Sequence, residues 1–151
     1  MGEYSTARRS ILRQGFIILL LGLLAGFGIV AGGPKAPSWM ATHLTLMLTA
    51  VLIVLVGLVY DDLNLSPKQR AMLRFAVVAD GYWGGLTGVF ATLFSVPGPV
   101  SGHGAHPTGW AATVFFSVFI PPLTLLPFLF TGLTLFGLRG TARDSQPTTN
   151  G

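Results

Sequence analysis

Residues 14–34 read QGFIILLLGLLAGFGIVAGGP, and this uncharged stretch between Arg13 and Lys35 decides the fold class. As a helix, residues 14–32 are about 28 Å long, close to the roughly 30 Å thickness of the hydrocarbon core of a bilayer. The run therefore predicts a membrane-spanning helix. Arg8 and Arg9 before it also fit a secretion signal, but the apolar runs that follow favour a first helix that is retained.

Three further apolar runs follow, and spans are predicted at about residues 38–60, 68–96 and 110–138. Pro67 is suited to the first position of the third helix. The fourth run contains three prolines, which should kink the helix or break its hydrogen-bond ladder: Pro121, Pro122 and Pro127. The sequence thus predicts an all-α, four-helix membrane bundle over residues 1–140 and a disordered polar tail over residues 141–151.

The composition agrees with a lipid environment. Of the 151 residues, 51% are hydrophobic and 9% are charged, against roughly 25% charged in soluble domains. The absence of cysteine excludes disulfides and thiolate metal sites. The net charge of +4 comes from basic residues beside apolar runs, which suits lipid headgroups better than a nucleic acid.

Basic residues predict the orientation. Lys35 lies alone on one side of the four-span arrangement, and eight basic residues fall on the other: Arg8, Arg9, Arg13, Lys68, Arg70, Arg74, Arg139 and Arg143. The positive-inside rule then places both termini in the cytoplasm.

His43 lies about one turn inside the outer end of the second span. A neutral imidazole nitrogen is a good ligand for haem iron, so the residue is a candidate axial ligand. It fits equally well an interfacial histidine that hydrogen-bonds a neighbouring carbonyl. The residues alone leave both interpretations open.

Asp80 lies within the third span and is followed two residues later by Tyr82. An ionisable group inside a bilayer usually faces the bundle interior, a partner or a cofactor. A structural carboxylate, held by helix-end donors, by Tyr82 or by an arginine such as Arg74, is favoured over a proton acceptor in catalysis.

Glycines recur at spacings of three and four in the third span, at Gly81, Gly84, Gly85 and Gly88. Such a stripe usually permits close approach of another helix, and it can also seat a planar ligand. The first span repeats the pattern with Gly22 and Gly26.

Two remaining features carry weak functional signals. Thr49 lies roughly 9 Å along the helix axis from His43, but a membrane threonine most often bonds its own backbone. The outer loop carries His103 and His106, and a metal would need at least one further protein ligand there.

The order and spacing of these residues resemble the small four-helix bacterial membrane enzymes typified by styrene oxide isomerase and hydroxylaminobenzene mutase. The resemblance covers roughly residues 8–95, and the fourth span agrees in hydropathy only. It is carried by Arg13-Gln14-Gly15, the Leu/Gly-rich run from Leu19 to Gly26, Ala41-Thr42-His43, Leu65-Ser66-Pro67 and Ala79-Asp80-Gly81-Tyr82-Trp83.

The resemblance implies a homotrimer in a bacterial inner membrane that binds haem b, with His43 on the iron. If the glycine stripe of the third span seats this planar ligand, Gly84 and Gly88 lie near the cofactor. The resemblance also implies that ferric iron acts as a Lewis acid on a substrate oxygen, and Thr49 matches a functional position of the family. Asp80 and Tyr82 are further candidate catalytic residues because they lie within the third span. Two positions depart from the isomerase pattern, since Thr49 replaces an asparagine and Gly88 replaces a tyrosine. Both departures put epoxide isomerisation in doubt.

We therefore expect a membrane isomerase or mutase that rearranges a small molecule without net oxidation. An N–O substrate (a hydroxylamine or an O-acyl hydroxylamine, with formation of an N–N bond in some cases) is favoured over an epoxide. A non-catalytic four-helix subunit or small permeation protein without a cofactor is the alternative. A redox haem protein ranks third, since a second axial ligand at the depth of His43 is not evident and Met47 is on the same helix.

Overall fold

A computed structural model of the protein describes residues 6–96 and 109–139. Over these residues the chain forms four long helices and no strand. Helix α1 is Thr6–Ala31, α2 is Ala36–Val59, α3 is Pro67–Leu93 and α4 is Trp110–Leu138. Short 3-10 turns, Gly33–Lys35 and Tyr60–Asp62, connect α1 to α2 and follow α2. The predicted all-α class is confirmed, and the predicted tail and most of the outer loop lie outside the described residues.

The start of α3 follows from local sequence. Ser66 caps the helix, because its hydroxyl accepts a hydrogen bond from the Gln69 backbone N–H, and Gln69 Oε1 accepts one from the Ser66 N–H at 2.9 Å. Pro67 occupies the first turn, as predicted. At the other end of the same helix, Lys35 Nζ donates to the Leu93 carbonyl at 3.2 Å. A cation there satisfies a carbonyl that has no partner within the helix.

Helix α4 continues through all three of its prolines. Its α-helical pattern is interrupted by a π-helical segment, Phe115–Phe119, immediately before Pro121 and Pro122. A π turn shifts the hydrogen-bond register, and such turns accompany interruptions in the helical ladder. The predicted break in the ladder therefore appears as a local change of helix type and not as the end of the helix.

The helices pack so that α2 contacts α1 along most of its length, while α3 lies between α2 and α4. The main core is aliphatic, with Ile18, Ile53, Leu73 and Val77 fully buried. A smaller aromatic cluster at the other end joins Phe90 of α3 to Phe115 and Phe119 of α4.

Large apolar side chains cover the outside of the bundle. Phe27 is 72% exposed, Val30 89% and Phe128 79%. In water such a surface would be a severe aggregation liability, so the surrounding solvent is lipid. In the described residues, α1, α4 and the stretch Gly33–Asp62 are long and apolar enough to cross a membrane. Helix α3 has 27 residues but does not meet the same standard of apolarity.

Candidate functional site

His43 is partly buried on the side of α2 that faces α1. Its Nδ1 lies 2.7 Å from the carbonyl oxygen of Gly22. Because a carbonyl can only accept, Nδ1 carries the hydrogen, and in the neutral imidazole the lone pair is on Nε2. No residue among those the structure describes hydrogen-bonds that second nitrogen. The expected hydrogen bond to a neighbouring carbonyl is therefore present, and it leaves one nitrogen able to bind a metal.

The glycines of α1 make room for this imidazole. A Cβ atom at Gly26 would lie 3.2 Å from His43 Nδ1, and one at Gly22 would lie 3.2 Å from Leu46 Cβ. The small residues let α2 approach until the ring reaches the backbone of α1. A histidine that donates one ring N–H to a backbone carbonyl is oriented and made more basic at the other nitrogen, as metal-ligating histidines commonly are.

The glycine stripe of α3 packs against neighbouring helices of the same chain. A Cβ atom at Gly88 would lie 2.6 Å from Thr42 Oγ1, and one at Gly84 would lie 3.4 Å from Thr45 Cγ2. Gly81 faces Ile18 and Ile53. The interpretation of the stripe as a helix-packing surface thus accounts for its contacts. Gly84 and Gly88, the candidates for binding a cofactor, are covered by Thr45 and Thr42 of α2.

These contacts also set the register of two candidate catalytic residues. Gly84 faces Thr45 and Gly88 faces Thr42, so α2 and α3 run antiparallel. Asp80 lies one turn before Gly84 in α3, and Thr49 lies one turn after Thr45 in α2, so these two residues are at the same height along the bundle. Both side chains are buried, with Asp80 4% and Thr49 9% exposed. The structure therefore brings Thr49 and Asp80 to one region of the bundle.

Both of these side chains have unused hydrogen-bonding capacity. Asp80 Oδ1 is buried and has no hydrogen-bond partner in the part of the chain that the structure describes. The hydroxyls of Thr87 and Thr92 donate to the carbonyls four residues earlier in their helix. The Thr49 hydroxyl, in contrast, makes no hydrogen bond with any residue that the structure describes. A buried polar group without a partner is costly. Thr49 and Asp80 are therefore the side chains best able to bind a polar ligand in the α2–α3 contact.

Tyr82 points away from this region. Two residues along a helix correspond to a rotation of about 200°, so Tyr82 and Asp80 lie on different faces of α3. The Tyr82 side chain is 43% exposed, and its hydroxyl donates to Gln14 Oε1 at 2.6 Å. This bond between α3 and α1 was not expected from the sequence. In the sequence, the only indication of this hydrogen bond is that Gln14, the first residue of the uncharged stretch, is polar.

His43 and Thr49 lie on different sides of α2. Six residues along a helix leave a difference of about 120° in direction. His43 accordingly contacts α1, while Thr42 and Thr45, on the Thr49 side, contact α3. A single chain does not bring the candidate iron ligand and the candidate catalytic pair together.

The two histidines of the outer loop, His103 and His106, lie outside the described residues. Over residues 6–96 and 109–139, no three His, Asp or Glu side chains are grouped as a metal site. Met47, which shares a face with His43, packs against Gly22 of α1.

The chain is thus a small helical membrane protein that contains an oriented histidine and a buried carboxylate. Comparison with known families identifies the group within this class. The family model described as styrene oxide isomerase matches residues 7–139, so the chain belongs to the styrene oxide isomerase family. The match extends the resemblance through the fourth helix. No curated protein and no solved structure matched the chain. The family match identifies the chain, in general terms, as a membrane isomerase.

Proposed function

We propose that the protein is a membrane-embedded isomerase or mutase that rearranges a small substrate without net oxidation. The reacting group is the N–O bond of a hydroxylamine or an O-acyl hydroxylamine, with formation of an N–N bond in some substrates, or an epoxide. The observation that carries the proposal is the hydrogen bond from His43 Nδ1 to the Gly22 carbonyl, which leaves Nε2 available as a ligand. Membership of the styrene oxide isomerase family supports the reaction class.

The cofactor in this proposal is haem b. The chemistry of the donor fits, because a neutral imidazole with one nitrogen hydrogen-bonded to a carbonyl is a suitable ligand for haem iron. His43 would hold the iron through Nε2. Bound ferric haem would supply a Lewis acid that polarises an oxygen of the substrate.

The residues of the chain then have distinct roles. The Thr49 hydroxyl, which makes no hydrogen bond in the described residues, orients the substrate by a hydrogen bond. Asp80 accepts or returns a proton through its unpartnered Oδ1. Tyr82 is a second candidate for proton movement. Asp80 is the better supported of the two, because the Tyr82 hydroxyl is engaged by Gln14 on another face of α3.

An N–O substrate is favoured over an epoxide by two positions. Thr49 replaces the asparagine of the isomerase, and Gly88 replaces its tyrosine. A Cβ atom at Gly88 would already lie 2.6 Å from Thr42 Oγ1, so a large side chain at this position would require α2 and α3 to separate. The chain therefore lacks two groups that the epoxide isomerase uses, and the polar groups that remain are Thr49 and Asp80.

The proposed assembly is a homotrimer of four-span subunits in a bacterial inner membrane, with both termini cytoplasmic. In one chain His43 faces α1 while Thr49 and Asp80 lie towards α3. In the trimer, a second copy would lie beside the His43 side of the bundle. Reporter fusions at Gly140 and Gly104 test the orientation and should report inside and outside, respectively. Native mass spectrometry from detergent tests the trimer, and a strictly monomeric protein would exclude it.

The function is tested with the full-length protein purified in detergent. The expected result is a Soret band that survives washing, together with turnover of an arylhydroxylamine or an O-acyl hydroxylamine in the absence of reductant. A styrene-type epoxide serves as the comparison substrate. If haem-loaded protein rearranges none of the three, or if turnover requires added electrons, the mutase proposal is wrong. A protein with neither haem nor turnover would instead fit the non-catalytic subunit.

A further inference from the structure

A polar concavity lies between α1 and α3, near the N-terminal ends of both helices. This α1–α3 groove has a volume of about 670 Å³, within the range that is typical of ligand sites, and it is open to the outside of the bundle. Its polar half is lined by Ser10 and Gln14 of α1 and by Arg70 and Arg74 of α3. Thr49 and Asp80 do not line it, so the groove is separate from the site proposed above.

The charge of the polar half is positive. Arg70 is held in place, because its Nη2 and Nε donate to the carbonyls of Leu63 and Leu65 at 2.8 and 3.2 Å. These bonds satisfy donors but leave the charge of the guanidinium uncompensated. Arg74 is exposed and has no ion pair or hydrogen bond with any residue that the structure describes. None of the described residues that line the groove is acidic.

Neutral donors accompany these charges. Gln14 Oε1 accepts the bond from Tyr82, which leaves the amide N–H groups of Gln14 available to a ligand. The Ser10 hydroxyl likewise has no hydrogen-bond partner over the described ranges. A group with several acceptor oxygens and a negative charge matches this combination of two guanidinium groups, an amide and a hydroxyl.

The other half of the groove is apolar. It is lined by Phe75, Val78 and Ala79 on the following turns of α3, and Phe75 is 70% exposed. The change from polar to apolar coincides with the end of the basic region, because Arg74 is the last basic residue of α3 and Arg13 is the last charged residue of α1. The groove therefore crosses the level at which these helices leave the headgroup region.

We propose that the α1–α3 groove binds an anionic phospholipid, with the phosphate between Arg70, Arg74 and Gln14 and an acyl chain along Phe75 and Val78. Basic concavities between membrane helices on the cytoplasmic side commonly bind such headgroups. A free phosphate would use the donors and not the apolar half, which is why a lipid is the better match. The proposal does not depend on the isomerase reaction.

The test measures lipid binding by native mass spectrometry of the full-length protein. Phosphatidylglycerol is titrated against phosphatidylcholine, and we expect the anionic lipid to be retained preferentially. Arg74→Gln should weaken phosphatidylglycerol binding roughly tenfold, the size expected for loss of a charge-assisted hydrogen bond. Arg139→Gln is the matched control, because Arg139 is exposed at the end of α4, outside the groove, and its substitution removes the same charge.

A second variant tests the shape of the groove without changing its charge. Ala71 lines the groove and is exposed, so Ala71→Trp should fill the space and displace the lipid while the bundle stays folded. Three outcomes would overturn the proposal. These are equal retention of phosphatidylcholine, equal weakening by Arg139→Gln and Arg74→Gln, and complete displacement of the lipid by millimolar inorganic phosphate, which would indicate an ion site.

Discussion

Helix α2 meets α1 along one side and α3 along another, and the two contacts are built from different residues. In the contact with α1, apolar side chains pack against glycines; for example, a Cβ atom at Gly15 would lie 2.8 Å from Val54 Cγ2. The polar side chain that crosses this contact is His43, which hydrogen-bonds the Gly22 carbonyl. The buried polar side chains of the described residues all belong to α2 or α3: Thr42, Thr49, Asp80, Thr87 and Thr92. The polar interior of the bundle is therefore concentrated away from the α1–α2 contact.

The α1–α2 contact and the α2–α3 contact are suited to different chemical roles. In the α1–α2 contact, glycines allow a ring nitrogen of His43 to reach a backbone carbonyl, which fixes the orientation of the imidazole as the proposed haem ligand requires. The α2–α3 contact instead contains a buried carboxylate oxygen of Asp80 and the hydroxyl of Thr49, neither of which has a hydrogen-bond partner in the described residues. Such groups can form hydrogen bonds and transfer protons. The predictions below test whether the two contacts have these separate roles.

The largest effect is expected at the α1 side. His43→Ala should abolish or sharply weaken haem binding, because the substitution removes the nitrogen proposed to bind the iron. The measurement is the Soret absorbance of washed, detergent-purified protein. His103→Ala and His106→Ala are the matched controls and should retain the band. A normal Soret band in the His43 variant would exclude this residue as the ligand.

The next effect concerns the stability of the α2–α3 contact. Gly88→Val should lower the free energy of unfolding by about 1–3 kcal/mol, since the new side chain would overlap the Thr42 side chain in a packed contact. Gly132→Val on α4 is the control, because a Cβ atom there meets no atom within 4 Å. Unfolding by denaturing detergent compares the two variants. Equal stability would mean that α2 and α3 do not approach as closely at Gly88.

Some of this arrangement could be predicted from the sequence, because it depends on local features. Ser66, Pro67 and Gln69 are adjacent, and together they determine where α3 begins. The uncharged stretch after Arg13 and the glycine spacings likewise predicted a membrane helix and close helix packing. The prolines of α4 predicted a disturbance, although the helix continues through it by a π-helical segment.

The division of the site between two sides of α2 could not be predicted in the same way. Which helix His43 faces depends on its contact with Gly22, 21 residues away, and this contact results from the packing of whole helices. The same holds for Asp80 and Thr49, whose common level follows from the register of α2 against α3. A list of polar residues in predicted spans contains all three, but it does not show which of them are neighbours.

A smaller effect is expected from removing one hydroxyl in the α2–α3 contact. Thr49→Val keeps the volume of the side chain, so haem binding should be retained while turnover falls roughly fivefold to tenfold, the size expected for one hydrogen bond to the substrate. Thr131→Val on the exposed side of α4 is the control and should be neutral. If the two variants lose the same activity, Thr49 has no specific role in the reaction.

The smallest effect is expected at Tyr82, which shares α3 with Asp80 but faces α1. Tyr82→Phe removes the hydrogen bond to Gln14 from a partly exposed position. Stability should fall by about 0.5–1 kcal/mol, and turnover should change by no more than about twofold. Asp80→Asn, which keeps the shape of the buried side chain but removes its basicity, should lower turnover further than Tyr82→Phe does. Measurement of turnover per bound haem separates the two residues. A loss in the Tyr82 variant as large as that in the Asp80 variant would show that the proton path runs along the α1 side of α3, and the contrast between the two contacts of α2 would then not describe the chemistry.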